Sequence, residues 1–445
     1  MSSEWATHTI EEIAAPIQAA MATGPFGSSI SAKYFVESGV PVIRGSNLSP
    51  DTSTRLIEDG FAFIAADKAR EFERSTARRG DLVFTCWGTI NQVGLIDGRA
   101  IFDRYVVSNK QMKLSVDPLK ADPRFIYYVF SSPAKQAEIL DNGIGSSVPG
   151  FNLGQLKRHE VLLPSLAEQK VIADFLESLD DRITLLRETN ATLESIAQAL
   201  FKSWFVDFDP VRAKRDGRAL EGMDEATAAL FPDSFEDSES GELPRGWCVM
   251  SLDEAYELNP TRKLGKGSPA PYLDMANAPT QGFGVAEVSM REFGSGTKFV
   301  AGDTLLARIT PCLENGKSAF VDFLQDGQVG WGSTEFVVLR PKSPLPTFHA
   351  YLLCRHRTFR DHAVQSMSGT SGRQRIQNDV LGRYLLAIPP ASVAAAFGEL
   401  TATIQRRVTA NNAMSRTLAT LRDTLLPRLI SGQLRLPEAA EEALA

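Results

Sequence analysis

The stretch SLAEQKVIADFLESLDDRITLLRETNATLESIAQALFKSW, residues 165–204, decides the architecture. Ile172, Leu176, Leu179, Ile183, Leu186, Asn190, Leu193, Ala197, Leu200 and Trp204 step along it by alternating fours and threes. That is the period near 3.5 at which two helices supercoil about a shared seam. Ser165 followed by Glu168 has the form of a capping box. At about 1.5 Å per residue the helix would run roughly 58 Å. Its apolar stripe needs a cover. Ile404, Val408, Asn411, Leu418, Leu425 and Leu429 supply a second stripe, broken by Ser415 and Arg422. Ala391 and Ala394 to Ala396 stand where a Ser/Glu cap would be, so the second helix is expected to fray or begin late. Antiparallel pairing would let each stripe cover the other. The expected core of the pair is Ile172, Leu176, Leu179, Ile183, Leu186, Leu193, Leu200, Ile404, Val408, Leu418 and Leu425.

Outward from the helices, the chain repeats itself. Arg79-Gly80-Asp81-Leu82-Val83-Phe84 returns as Ala301-Gly302-Asp303-Thr304-Leu305-Leu306, offset by 222. Gly145-Ser146-Ser147 returns as Gly369-Thr370-Ser371, Val161 to Pro164 as Ala387 to Pro390, and Arg182-Ile183-Thr184 as Arg407-Val408-Thr409. Trp5 with Ile10 and Glu12 matches Trp247 with Leu252 and Glu254. Five matches in one order make a duplicated plan. The Gly-Asp pairs read as tight turns entering apolar strands, and segments 123–140 and 346–365 carry helical spacing.

The fold class is therefore α+β: two similar mixed α/β domains separated by two long helices forming an antiparallel coiled coil, with pseudo-twofold symmetry. The expected segments are a first domain 1–164, first helix 165–205, an acidic linker 206–245, second domain 246–391, second helix 392–432 and a loose tail 433–445. Residues 165–245 hold 9 Lys and Arg against 18 Asp and Glu, which is more negative than the whole chain's net charge of −7, so both domains are near neutral. Acidity of the whole does not exclude a local basic face.

Chemistry is sparse. Gly316-Lys317-Ser318 has Pro311 where a phosphate-binding loop needs its first glycine. Asn259-Pro260-Thr261 and Asp209-Pro210-Val211 lack the second proline and the aromatic of an adenine-methyltransferase tetrapeptide. His8, His159, His349, His356 and His362 form no His-Glu-x-x-His pattern and read as structural or surface residues. Asp81 and Glu314 are conceivable nuclease carboxylates, but Asp81 is more simply the turn residue of the repeated Gly-Asp motif. Cys86, Cys248, Cys312 and Cys354 are too dispersed for a zinc ribbon and read as buried thiols. No metal is expected. With no secretory start and no apolar run near 20 residues, a cytoplasmic protein with no membrane partner is expected.

Three further stretches carry a resemblance: LPSLAEQKVIADFL at 163–176, ALFKSWFVDFDP at 199–210 and GELPRGW at 241–247, with LLPRLISG at 425–432 closing the chain. Together they resemble the specificity subunit of type I restriction-modification systems. The start of the second helix lacks the Glu-Gln pair that follows Pro164. The resemblance implies that each domain is a target recognition domain reading half of a bipartite double-stranded DNA site, with the helices as spacer. It implies two methyltransferase subunits and restriction subunits as partners. It implies no catalytic residues and no cofactor here, S-adenosylmethionine and ATP with Mg belonging to the partners. A scaffold with paired protein-binding domains and no DNA role is the alternative.

Guanine favours Arg, adenine favours Asn or Gln, and phosphates favour Lys, Arg, Ser and Thr. In the second domain these types gather at Ser371, Arg373, Gln374, Arg375 and Gln377, with Arg308 and Lys317. In the first, Ser146, Ser147 and Asn152 occupy the matching loop, with Lys33, Arg44, Ser46, Asn47, Asn91 and Gln92 as further candidates. Trp204, Phe205 and Phe208, among acidic neighbours, are candidates for a methyltransferase contact.

Overall fold

The structure is a computed structural model that describes residues 5–26, 29–144, 149–238, 241–285, 287–370 and 372–436. The chain divides into two compact units, Met1–Leu185 with Ser415–Ala445, and Leu186–Met414. Two helices of 40 residues, Leu166–Phe205 and Ala391–Ile430, each contribute one half to either unit.

In the first unit a four-stranded antiparallel sheet runs in the order Met21–Thr23, Gln111–Ser115, Asp81–Thr85, Val93–Leu95. A five-stranded sheet orders Phe35–Val36, Ala62–Ile64, Val40–Ile43, Arg104–Val107 and Thr76–Arg78. Asp122 caps helix Pro123–Ser131, whose proline suits the first turn. Its Phe125, Ile126, Tyr128 and Phe130 share one core with Leu82, Phe84 and Leu114 of the sheet, Ile172 and Leu176 of the first long helix, and Leu426 and Leu429 of the second.

The second unit repeats the plan. Tyr256–Leu258, Phe336–Pro341, Thr304–Ala307 and Ser318–Phe320 form a four-stranded antiparallel sheet of the same connectivity. A second sheet orders Ser289–Glu292, Pro269–Leu273, Gly330–Gly332 and Thr297–Phe299. Helix Phe348–Arg355 joins a core that takes in Ala197, Phe201, Trp204 and Phe205 from the first long helix and Val393, Phe397 and Val408 from the second.

The repeated motifs do equivalent work. Gly80 and Gly302 take φ of 91° and 82°, where a side chain would be strained. The following aspartates turn back, Asp81 Oδ2 accepting from Arg78 N–H and Asp303 Oδ2 from Val300 N–H, each at 2.9 Å. Thr9 with Glu12 and Ser251 with Glu254 close capping boxes at the start of each unit's globular part.

Within each unit the two half-helices run antiparallel. In the first, Asp180 meets Arg422. In the second, Asn190 meets Asn411 and Asn412, and Trp204 meets Phe397. Ile172, Leu176, Ile183, Leu186 and Val408 are buried. Leu179, Leu193, Leu200, Ile404, Leu418 and Leu425 are half-buried. The seam slips by one residue at 179–180, where Asp180 is fully buried in place of Leu179 because Arg422 reaches across to it.

Three expectations are corrected. The second long helix does not begin late: it starts at Ala391, where Val393 and Ala394 are fully buried and both donate to Pro390 O at 3.1 Å, so packing substitutes for a side-chain cap. Segment 206–245 is not a bare linker. It forms helices Asp209–Arg215 and Glu225–Ala229 and hairpin Phe235–Ser238 with Gly241–Pro244, and it buries Val211, Phe231 and Leu243. A few well-spaced apolar anchors outweigh its acidic average, Phe231 standing edge-on to Trp204 at 4.9 Å. Finally, Cys86 and Cys354 are buried, but Cys248 is exposed on an edge strand and Cys312 half-buried. Among the described residues no helix is long and apolar enough to cross a membrane.

Candidate nucleic-acid interface

Each four-stranded sheet has one end where strands close on a cluster of loops. In the first unit Thr85 pairs with Gln111 at that end. In the second, Ala307 pairs with Phe336. Four backbone links beyond the strands are then the same in both. Cys86 N–H donates to Lys110 O at 2.7 Å, and Arg308 N–H to Glu335 O at 2.9 Å. Phe151 N–H donates to Cys86 O at 2.8 Å, and Ile376 N–H to Arg308 O at 3.0 Å. Trp87 bridges Gly150 as Ile309 bridges Arg375, and Ile144 bridges Gly150 as Ser368 bridges Arg375. The glycine-rich loop of each unit is thus stitched to the end of its sheet.

Most of the second unit's candidates meet here. Arg375 forks onto Glu335, with Nε 2.9 Å from both carboxylate oxygens and Nη2 2.6 Å from Oε1. Arg308 Nε lies 3.8 Å from the same carboxylate, and its Nη1 donates to Asn378 Oδ1 at 3.3 Å. Hydrogen bonds from Arg375 hold the Glu335 carboxyl below its usual range, and the same bonds hold Arg375 more firmly protonated. Gln374 is fixed through its backbone, its N–H reaching Thr310 Oγ1 at 3.0 Å. Arg373 and Gln377 are exposed. Lys317 enters the cluster by backbone pairing with Ala307, but its ammonium donates to Met275 O and Ala276 O at 2.7 and 3.1 Å. Ser371 lies outside the described residues.

The first unit assembles fewer. Asn91 and Gln92 sit half-buried on the turn that enters Val93–Leu95. Asn152 is exposed, yet its side chain caps helix Leu153–Arg158 by accepting from Gln155 N–H at 2.9 Å. The turn at 44–47 joins the cluster through Ser108 N–H to Ile43 O at 3.0 Å. Ser46 is exposed there, and Arg44 donates to Gly60 O at 2.8 Å. Asn47 is withdrawn as a DNA contact: it is 1% exposed, accepts from Arg44 N–H and donates to Ile57 O, both at 3.0 Å. Lys33 stands over the Tyr34 ring, which packs on the five-stranded sheet's core, and among the described residues no contact ties it to the loop end. Ser146 and Ser147 lie outside the described residues.

Sequence reasoning missed Trp87, which is half-exposed at the loop end, together with Lys110 and Glu335. The duplication held part of the signal, but it is the shared backbone links that align Lys110 with Glu335 and Gly150 with Arg375. Among the described residues no group of three or more His, Cys, Asp and Glu could hold a metal ion.

Comparison with known proteins agrees with this duplicated plan. The family described as Type I restriction modification DNA specificity domain matches residues 28–195. The MjaIX specificity subunit of Methanocaldococcus jannaschii is 26% identical over 331 residues, covering 71% of this chain and 69% of that one. The HindI specificity subunit of Haemophilus influenzae is 23% identical over 425 residues, covering 81% and 88%. Among solved structures, the S subunit of a type I restriction-modification system from M. genitalium superimposes with a TM-score of 0.53 over 96% of both chains at 15% identity, which establishes likeness of fold. These relatives are specificity subunits of type I restriction enzymes. The matched domain at 28–195, the similarity over most of its length and the shared fold make this chain similar to the specificity subunits of type I restriction-modification systems.

Proposed function

We propose that this chain reads a bipartite site in double-stranded DNA and positions two methyltransferase subunits and the restriction subunits on it. One observation carries the reading: the same loop cluster, stitched by the same four backbone links, recurs at the same sheet end in both units. Two copies of a reading surface suit two half-sites.

In this reading the globular parts 1–164 and 246–391 are the target recognition domains. The helices at 165–205 and 392–432 are the spacer that sets the gap between half-sites. Arg373, Gln374, Arg375, Gln377, Arg308 and Lys317 contact one half. Arg44, Ser46, Asn91, Gln92 and Asn152 contact the other, with Lys33 as an outlying phosphate contact. Adenine methylation with S-adenosylmethionine, and ATP-driven restriction, are the work of the partners. The flipped adenine is held by the methyltransferase.

The test is to co-express the chain with a type I methyltransferase subunit from its own source and map methylated adenines genome-wide. Two short defined sequences at a fixed gap are expected. Methylation at a single undivided motif, or none that depends on this chain, would refute the bipartite reading.

A further inference from the structure

Arg308, Glu335 and Arg375 occupy positions that the backbone makes equivalent to Cys86, Lys110 and Gly150 of the first unit. The frame is kept and the side chains are exchanged wholesale. Such positions answer to what the surface touches, because the fold tolerates either set. The acidic member is unexpected on a surface that must meet phosphates. Its geometry gives it a use. Glu335 grips Arg375 side-on, through Nε and one hydrogen of Nη2. That leaves the end-on edge, Nη1 with the second Nη2 hydrogen, as a planar pair of donors. A planar donor pair matches the O6 and N7 acceptors of guanine in the major groove. The Glu335 side chain is 22% exposed against 39% for Arg375, so the carboxylate is the more withdrawn of the two.

We infer that Glu335 is a positioning residue for specificity: it aims Arg375 at a guanine in the second half-site and withholds Arg375 from non-specific phosphate contact. The inference rests on the DNA-reading function proposed above. A carboxylate costs affinity for any polyanion. It returns discrimination, because an arginine already gripped in one orientation forms its second pair of hydrogen bonds only where the acceptors lie in that plane.

The experiment uses the complex of the full chain with its methyltransferase. Binding is measured across a salt series to a duplex carrying the mapped methylation site and to a random-sequence duplex of equal length. Wild type is expected to prefer the mapped site; absence of preference would overturn the DNA-reading function and this inference with it. Glu335→Gln is expected to bind random duplex more tightly. Its salt slope should steepen by about 0.9 for one added phosphate contact, and preference for the mapped site should fall by roughly tenfold. Arg375→Lys keeps the charge but not the fork, and should lose preference similarly. Replacing guanines of the second half-site one at a time by 7-deazaguanine should weaken wild type at one position and leave Glu335→Gln indifferent there. If wild type discriminates but Glu335→Gln keeps its preference and slope, Glu335 has no such role. Should that variant not fold, unchanged preference in Arg375→Lys overturns the inference equally. Indifference of wild type to every 7-deazaguanine would remove the guanine assignment.

Discussion

Asp180 and Arg422, one from each long helix, meet in the interior of the first unit, with Arg422 Nη1 donating to Asp180 Oδ1 at 2.7 Å. Asp180 is fully buried and Arg422 is 5% exposed. The second Asp180 oxygen accepts from Tyr128 OH at 2.7 Å. Arg55, stacked over the rings of Tyr127 and Tyr128 at 4.4 and 4.7 Å, donates to the same hydroxyl. A loop, a buried helix and both long helices therefore share one set of largely buried charges.

Removing one partner from such a set weakens the hold on the others. Asp180→Ala takes the buried carboxylate from both guanidinium groups, leaving Arg422 with Asp423 at 2.8 Å and Asp51 at 3.8 Å and Arg55 with Glu177 at 3.7 Å, and should cost about 2–3 kcal/mol, less than a fully stranded charge. Arg422→Met should cost less, because Asp180 keeps Tyr128 and Arg55. Asp180→Leu with Arg422→Met should recover part of the loss. Denaturant unfolding of the complex measures all three, and an Asp180→Ala midpoint equal to wild type would show that the network contributes nothing to stability.

A neutral pin holds the helix pair in the second unit. Asn190 Nδ2 donates to Asn412 Oδ1, and Asn411 Nδ2 to Asn190 Oδ1, both at 2.8 Å. A polar residue in a seam fixes register at some expense in stability. Asn190→Leu leaves the buried Asn411 amide unpaired and should destabilise by about 1–3 kcal/mol. Asn190→Leu with Asn411→Leu should restore most of that. If the helices are the spacer, the double variant should also methylate sites whose gap differs from wild type. A gap distribution identical to wild type would show that other contacts set the register.

His349 makes the second unit sensitive to acid. It is 1% exposed, ringed by Phe201, Phe205 and Phe397, with Nδ1 on Tyr256 OH, and burial pushes its pKa down to about 3. The unfolded chain takes up this proton near pH 6.5 and the folded chain does not. Stability from this group is therefore complete above about pH 6.5 and declines as pH falls toward 3, by a total on the order of 4 kcal/mol. His349→Phe should flatten the fall in unfolding free energy between pH 6.5 and 4, whatever it costs at neutral pH by leaving Tyr256 OH without its partner. Parallel pH profiles for variant and wild type would mean that His349 is not the responsible group.

The helices and the duplication were legible because both are written in spacing, the 3.5-residue step from Ile172 to Trp204 and the near-constant offset of the Gly-Asp turns. What escaped depended on distant partners. Asp180 lies one position off the apolar stripe, where a carboxylate is ordinarily solvated, and only Arg422 and Tyr128 make its burial tolerable. Val211, Phe231 and Leu243 are hidden in an acidic average, and their burial needs the Trp204 surface to pack on. Asn47 has the chemistry of a base contact but spends its amide on its own turn. Glu335 belongs to no motif; a lone glutamate ahead of a strand acquires meaning only when Arg375, 40 residues away, folds onto it.

The loop at 366–377 gives the most direct check on the second unit's surface. Arg373 is exposed and Arg375 is held by Glu335, so the two arginines should fail differently. Arg373→Ala should weaken binding to all duplexes alike and lower the salt slope by about 0.9, as the loss of one phosphate contact does. Arg375→Ala should cost about 1–3 kcal/mol against the mapped site, and relax methylation at one base pair of the second half-site while sparing the first. The double variant should show both effects, separable because salt dependence reports the phosphate and the methylation map reports the base. Affinity and slope that stay at wild-type values in the double variant would remove this loop from the interface and shift the second unit's reading surface to Arg308 and Lys317.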